Sequence, residues 1–271
     1  MEAKFSLDAD YLVFTVAGTP YGVISHDIVS VIDMLEFTAV PDSTPELRGV
    51  IPFREGNLPL FDLRVFLGSK ARTQEIKELV ETMGMRKQDH INWINKLKDE
   101  VFNNKLVTVQ TNPHLCAFGK WYDTFTSDNA NLNSYMARFD TPHKAIHKVG
   151  ADATDLLKEG KKEEAITIIR TAEAGVLKSL LELFDGIGEL VKRYMLEYVV
   201  VFSSEGVQFG MAVDDIRFFS RLDHIEHPLQ SNITSGGADV VQAIGRYRKD
   251  NSDELHDVLL LDISRFLEHF N

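Results

Sequence analysis

The sequence predicts an α+β protein of two domains, in which a β-domain is interrupted by an inserted antiparallel four-helix bundle. Three observations carry this reading. Short β-branched and aromatic runs separated by turn residues fill residues 1–68 and return at 197–271. Between them, 73–195 shows helical periodicity with few turn residues. Neither flank alone reaches an ordinary domain size, whereas the two together, roughly 140 residues, do.

The first flank carries strand-like runs at 11–16 (YLVFTV), 21–24, 28–34 and 58–63, punctuated by turn residues at 17–20, 41–43 and 55–57. From Thr73 apolar side chains recur at Ile76, Leu79, Val80, Met83, Ile91, Ile94, Leu97 and Val101, the spacing of one long helix. Helical stretches follow near 113–126, at 129–159 with a bend expected at Thr141-Pro142, and at 162–195. The last has the widest apolar stripe, from Ala165 through Ile169 and Leu180 to Val191. Strand patterns resume in YVVVF from Tyr198, in GVQFGMAV after Ser-Ser-Glu-Gly, and in DVLLLDI before a short helix at Ser264 to Phe270. Four helices running up-down-up-down return the chain to its starting side, the geometry that an insertion between neighbouring strands requires.

Composition excludes several classes. With 44% apolar and 26% charged residues the 271-residue chain can build a core. A net charge of −12 with no basic patch argues against nucleic acid as a partner. No apolar run approaches the roughly 18 residues needed to span a bilayer, and MEAKFSLDAD has neither a basic start nor an apolar stretch, so neither membrane insertion nor secretion is expected. The single cysteine, Cys116, excludes an intramolecular disulfide and fits a reducing cytoplasm, the expected location.

Candidate chemistry lies in the helical segment. His143 and His147, four apart, share one helix face at a spacing suited to one metal ion. His90 falls on the inner stripe of the first helix beside Ile91, Ile94 and Leu97, and Cys116 opens the second. Taken singly, such a histidine pair is an ordinary half-buried feature and a lone cysteine a small hydrophobe. Two accounts therefore stand side by side. One is a core thiol with three unrelated histidines; the other is a bundle-core metal site supplied by three helices.

The motifs His90-Ile-Asn-Trp93, Cys116-Ala-Phe-Gly119-Lys-Trp121 and His143-Lys-Ala-Ile-His147 resemble the chemoreceptor zinc-binding (CZB) domain, with its H-x-x-W, C-x-x-G-x-W and H-x-x-x-H signatures in that order, over about 73–195. That resemblance implies one Zn2+ held by His90, Cys116, His143 and His147. It places Trp93, Gly119 and Trp121 around the site, where both tryptophans are expected to act by packing. The run Leu47-Arg-Gly-Val-Ile-Pro-Phe-Arg-Glu-Gly-Asn-Leu-Pro-Leu-Phe-Asp-Leu-Arg64, with Gly210-Met-Ala-Val-Asp214, is similar to the CheW signatures. It departs from them at Pro52, where asparagine is usual, and at the turn glycine, which comes one place later as Gly56. Gln242–Arg246 and Leu260–Ile263 fit that family's last strands more loosely. The CheW resemblance implies a pair of intertwined β-barrels and a non-catalytic adaptor between chemoreceptor cytoplasmic tips and a CheA-type histidine kinase. It marks Arg48, Arg54, Asp62 and Arg64 as partner-binding, although an ion pair of Arg64 with Asp62 would serve equally well. CZB-type bundles can pair, which leaves a homodimer through the bundle open.

Two functions follow. The first is a signal-transduction adaptor for chemotaxis whose insert senses zinc or oxidants through a zinc-bound thiolate. The alternative is a zinc-dependent hydrolase using the bundle metal site. Catalytic zinc usually keeps three protein ligands and an open position, whereas four ligands close the tetrahedron, so the enzyme is the weaker hypothesis.

Overall fold

The computed structural model describes residues 5–204, 206–226, 237–248 and 254–270. Glu205 of the predicted Ser-Ser-Glu-Gly turn lies outside the described residues, as do Met1 to Lys4. The chain divides into two compact units, residues 1–74 with 196–271, and residues 75–195. No helix among the described residues is long and apolar enough to cross a membrane.

The first unit contains β1 (Tyr11–Val16), β2 (Thr19–Ile24), β3 (Ile28–Asp33), β4 (Leu47–Phe53), β5 (Gly56–Asp62) and the short α1 (Leu63–Phe66). After the helical segment come β6 (Tyr198–Ser204), β7 (Val207–Val213), β8 (Asp215–Ser220), β9 (His224–Glu226), β10 (Val241–Arg248), β11 (Leu255–Leu261) and α8 (Ile263–Glu268). They form a six-stranded sheet in the order β8-β1-β2-β11-β10-β9 and a five-stranded sheet in the order β3-β6-β7-β5-β4. Each sheet draws strands from both flanks of the sequence. The parallel pairs β2–β11 and β5–β7 join the N-terminal flank to the C-terminal one. The flanks are therefore one folded body. In the second sheet β7 lies between β5 and β6, so the helical segment joins strands that are next but one rather than neighbours.

Side-chain alternation distributes each central strand between cores. In β1, Leu12, Phe14 and Val16 enter one cluster while Tyr11 and Val13 enter another. In β6, Val200 and Phe202 join the cluster of Leu12, whereas Val199 and Val201 pack with Ile51, Leu58 and Leu60. The shared cluster is densely aromatic: Phe266 sits 5.1 Å from Phe61, 4.6 Å from Phe66 and 5.4 Å from Phe209. Such rings contribute roughly 0.5–1.5 kcal/mol per pair beyond their burial. Strands β8 and β9 were not evident in the sequence. β8 alternates only between half-buried and exposed positions, as an edge strand does.

Buried charge reinforces the joining of the flanks. Arg48 of β4 pairs with Asp62 at 2.7 Å and with Glu197, just before β6, at 2.6 Å. Arg64 and Arg72 both reach Asp214, at 2.6 and 2.8 Å. Three of the four partner-binding candidates take part in these buried contacts. Arg48, Asp62 and Arg64 have side chains only 7%, 1% and 6% exposed, so their partners are carboxylates and guanidinia of the same chain. The acid paired with Arg64 is Asp214, not Asp62. Arg54 alone is exposed, at the tip of the β4–β5 hairpin.

The second unit begins within α2 (Arg72–Phe102) and continues through α3 (Ala117–Tyr122), α4 (Ala130–Met136), α5 (Asp140–Lys158), α6 (Lys162–Ala172) and α7 (Lys178–Tyr194). These make up the four predicted helical stretches. In the third, the break is a 3-10 turn at Ala137–Phe139, and Pro142 sits in the first turn of α5, where its missing N–H removes no helical bond. In the fourth, one π-helical turn at Glu173–Leu177 joins α6 to α7.

Replacing Arg48 by methionine should lower the stability of the first unit by about 3–5 kcal/mol, because Asp62 and Glu197 would remain buried without a counter-charge. Urea denaturation followed by strand circular dichroism measures this. A loss below about 1 kcal/mol would mean that water reaches these carboxylates.

Candidate metal centre

The second unit has one continuous apolar core, running from Leu79 and Met83 through Phe118, Phe139 and Ile146 to Leu180, Phe184 and Val191. Within it lie His90, His143 and His147, at 4%, 4% and 1% exposure. Cys116 joins them at partial burial. No two of the four ligand atoms are more than 4.8 Å apart. The side chains come from α2, from the residue preceding α3, and from successive turns of α5, so three elements must pack correctly before the cluster exists.

Backbone groups set the direction of two imidazoles. His90 Nδ1 donates to the carbonyl of Arg86, one turn earlier in α2, at 2.7 Å. His147 Nδ1 donates to the carbonyl of Gln110 at 2.8 Å. Each bond leaves Nε2 as the free acceptor, and both Nε2 atoms are buried with no hydrogen-bond partner. Burying an imidazole nitrogen unsatisfied costs about 1–3 kcal/mol. His143 Nε2 faces Cys116 Sγ at 3.2 Å.

Cys116 caps α3, with its sulfur accepting the amide of Gly119 at 3.1 Å. Glycine is required here by space. A Cβ at position 119 would lie 1.8 Å from the carbonyl oxygen of Pro113. The same holds where α5 passes Trp93, since a Cβ at Gly150 would meet that indole at 2.8 Å. Trp93 does more than pack: its Nε1 donates to Gln110 O at 2.8 Å, so one carbonyl serves both the indole and His147. Trp121 packs, 4.8 Å from Phe125 and 6.0 Å from Phe118.

Burial governs the protonation of the cluster. Desolvation, followed by the neighbouring His90 and His147, pushes His143 down to about 3. Desolvation also lowers His147 to about 4, against the bond to Gln110, and lowers His90 against the bond to Arg86. At neutral pH all three rings are uncharged with lone pairs available. Burial raises the Cys116 thiol, which the amides of Gly119 and Phe118 counter. A cation bound here would satisfy the bare nitrogens and hold the sulfur as thiolate.

The donor set of three imidazoles and one thiol suits zinc. Bonds of about 2.0–2.3 Å place tetrahedral ligand atoms roughly 3.3–3.8 Å apart; here Cys116 Sγ and His143 Nε2 are 3.2 Å apart and the widest pair lies within 4.8 Å. A cavity of about 220 Å³, bordered by Asp89, Trp93, Gln110 and Ala117, reaches the cluster at His90, Cys116 and His147. Gln110 was not foreseen as a site residue. Its contribution is a backbone carbonyl, which carries no side-chain signature.

Residues 90–154 match the family of chemoreceptor zinc-binding domains, and residues 10–86 match the family of CheW-like domains. Zinc is the cofactor of the first, and the whole His-Cys-His-His cluster lies within its matched residues. No curated protein matches the chain. Among solved structures it is similar to the scaffolding protein TtCheW from Thermoanaerobacter tengcongensis, with 11% identity over 94% of this chain and 89% of that one and a TM-score of 0.42.

Gly119→Ala should weaken zinc binding at least 10-fold, because the first turn of α3 must shift and carry Cys116 with it. Gly188→Ala, where a Cβ meets nothing within 4 Å, should leave zinc affinity unchanged and is the control. Competition against a chromophoric chelator measures both, and equal affinities would show that the Pro113 segment yields easily.

Proposed function

We propose that the chain is a non-enzymatic chemotaxis adaptor that couples chemoreceptor tips to a CheA-type histidine kinase in the cytoplasm, with an inserted zinc-binding bundle that tunes the coupling. One observation supports it above the rest. Three buried imidazoles and a thiol converge within 4.8 Å of one another, inside a segment whose two flanks pair into shared sheets, the strands of the first flank lying within the residues that match the CheW-like family.

In this reading residues 1–68 with 197–271 are the adaptor and 73–195 the sensor. His90, Cys116, His143 and His147 hold one zinc ion and fill its tetrahedron, which leaves no position for a substrate or a catalytic water. Zinc-bound cysteine is thiolate, the form that oxidants attack, and hypochlorous acid would convert it to a sulfenic acid with release of chloride. With no second cysteine in the chain, an external thiol must complete the return. Losing the thiolate would free the start of α3 and the segment before it, an element that a ligand can bias between two states.

The partner surface in this reading centres on Arg54. It borders an open groove of about 750 Å³ lined by Val31, Ile32, Leu35, Phe53, Tyr198 and Ile216, all of the first unit. Apolar walls with a charged rim are the anatomy of a protein-binding patch.

X-ray absorption of the zinc-loaded protein should show three nitrogens and one sulfur, the latter near 2.3 Å; absence of the sulfur would remove Cys116 from the ligand set. In a reconstituted receptor–kinase array, Cys116→Ala should abolish the response to hypochlorite and to zinc chelation while basal coupling persists. A response identical to wild type would sink the sensor reading. Separately, Ile32→Glu should weaken kinase or receptor capture at least 10-fold without altering zinc content, and unchanged capture would place the adaptor surface elsewhere.

A further inference from the structure

We propose that Glu100 and Thr108 form a latch that positions the metal centre, by holding residues 105–112 so that the carbonyl of Gln110 orients His147. The inference rests on the zinc reading above and assigns positioning roles to two residues outside the ligand set.

Glu100, in the last turn of α2, is a carboxylate only 6% exposed. Burying such a group is costly unless it is fully hydrogen-bonded. Its oxygens accept from both donors of one residue, the amide of Thr108 at 2.9 Å and the Thr108 hydroxyl. Lys96, one turn earlier, lies 3.7 Å away and is itself largely exposed. The backbone joins in, with Lys105 N donating to the carbonyl of Glu100 at 2.7 Å after Asn104 adopts a left-handed conformation. α2 thus ends by turning the chain back on its own last carboxylate.

Two residues beyond Thr108 is Gln110. Its carbonyl receives His147 Nδ1 and Trp93 Nε1, each at 2.8 Å. Between the latch and this carbonyl only Val109 intervenes, buried in the core at 9% exposure, while Leu106 on the other side is 83% exposed. Burial of a valine fixes position but not the rotation of the following peptide. The two bonds to Glu100 anchor Thr108, two residues short of that carbonyl, and shorten the segment that is free to rotate. An acceptor held in this way keeps the His147 proton on Nδ1 and aims Nε2 at the metal, and loss of such outer partners typically costs 10–100-fold in metal affinity.

The test compares Glu100→Gln, Thr108→Val and Thr108→Ser for zinc affinity by chelator competition, and for the visible spectrum of the cobalt-substituted protein. Glu100→Gln and Thr108→Val should lose 10–100-fold in affinity and shift the ligand-field bands, while the sulfur-to-cobalt charge-transfer band persists because Cys116 is untouched. Thr108→Ser, which keeps the hydroxyl, should restore both. In a His147→Ala background the Glu100→Gln loss should vanish, since the latch acts only through that ring. A purely structural role would lower thermal stability alike in both backgrounds and leave the ligand-field bands in place. Unchanged zinc affinity in Glu100→Gln and Thr108→Val, or the same loss with His147 removed, overturns the latch alone. Wild-type protein that takes up neither zinc nor cobalt overturns the metal reading and the latch together.

Discussion

The second unit is organised by imidazole nitrogens that its own core cannot satisfy. His90 and His147 are each tied by Nδ1 to a backbone carbonyl, and each presents a bare Nε2 to the same small volume as His143 and Cys116. An apolar core would be more stable with leucines in their place, so the packing around the cluster reflects a requirement other than burial. That requirement explains the close approaches. Gly119 lets α3 start against Pro113, and Gly150 lets α5 pass against Trp93. Phe118 and Phe184 pack against the cluster, Phe118 in a T-shaped arrangement with His143 at 4.8 Å and Phe184 lying tilted to His90 at 5.5 Å.

The first unit uses its polar interior differently. Arg48 and Arg64 sit among carboxylates supplied by the other end of the chain, at Glu197 and Asp214. Ion pairs of this kind are weak contributors to stability, because desolvation offsets most of the attraction. What they impose is pairing. Exchanging strands between the flanks, or slipping β5 against β7, would strand one of these charges in an apolar setting, a penalty of several kcal/mol against each wrong arrangement.

How far the sequence could be read depended on whether information lay in side-chain chemistry or in backbone geometry. The strands β1, β6 and β7 were visible because β-branched and aromatic runs mark them, and the four helical stretches because their apolar period is regular. The cluster was visible because imidazoles and a thiol are rare and their spacing is distinctive. Gln110 was hidden, since any residue offers a carbonyl. Glu100 was hidden as well: a glutamate near a helix end reads as a solvated charge until the fold turns Thr108 onto it. The CheW resemblance marks arginines 48 and 64 as partner-binding, and only the return of the chain at Glu197 and Asp214 makes an interior site for them. The break in the third helical stretch falls at the 3-10 turn Ala137–Phe139, a few residues before the Thr141-Pro142 that marks it, whereas the π turn at Glu173–Leu177 falls within an unbroken helical pattern and has no local marker.

The strand order carries a consequence for how the chain is made. β5 finds its parallel partner in β7, and Arg64 its carboxylate at Asp214, 150 residues further on. At translation rates of about 5–20 residues per second, the ribosome needs roughly 7–30 s to deliver that partner. Through this interval the β4–β5 hairpin has one edge without its strand and Arg64 without its acid. The helices made meanwhile pack together over separations as long as the 98 residues between Lys87 and Asp185, and helical bundles close in microseconds to milliseconds. The helical segment is therefore complete, and able to take up its metal, before the sheets that flank it can close. An interruption of synthesis between residues 195 and 213 would release the whole helical segment with a sheet edge still waiting for β7.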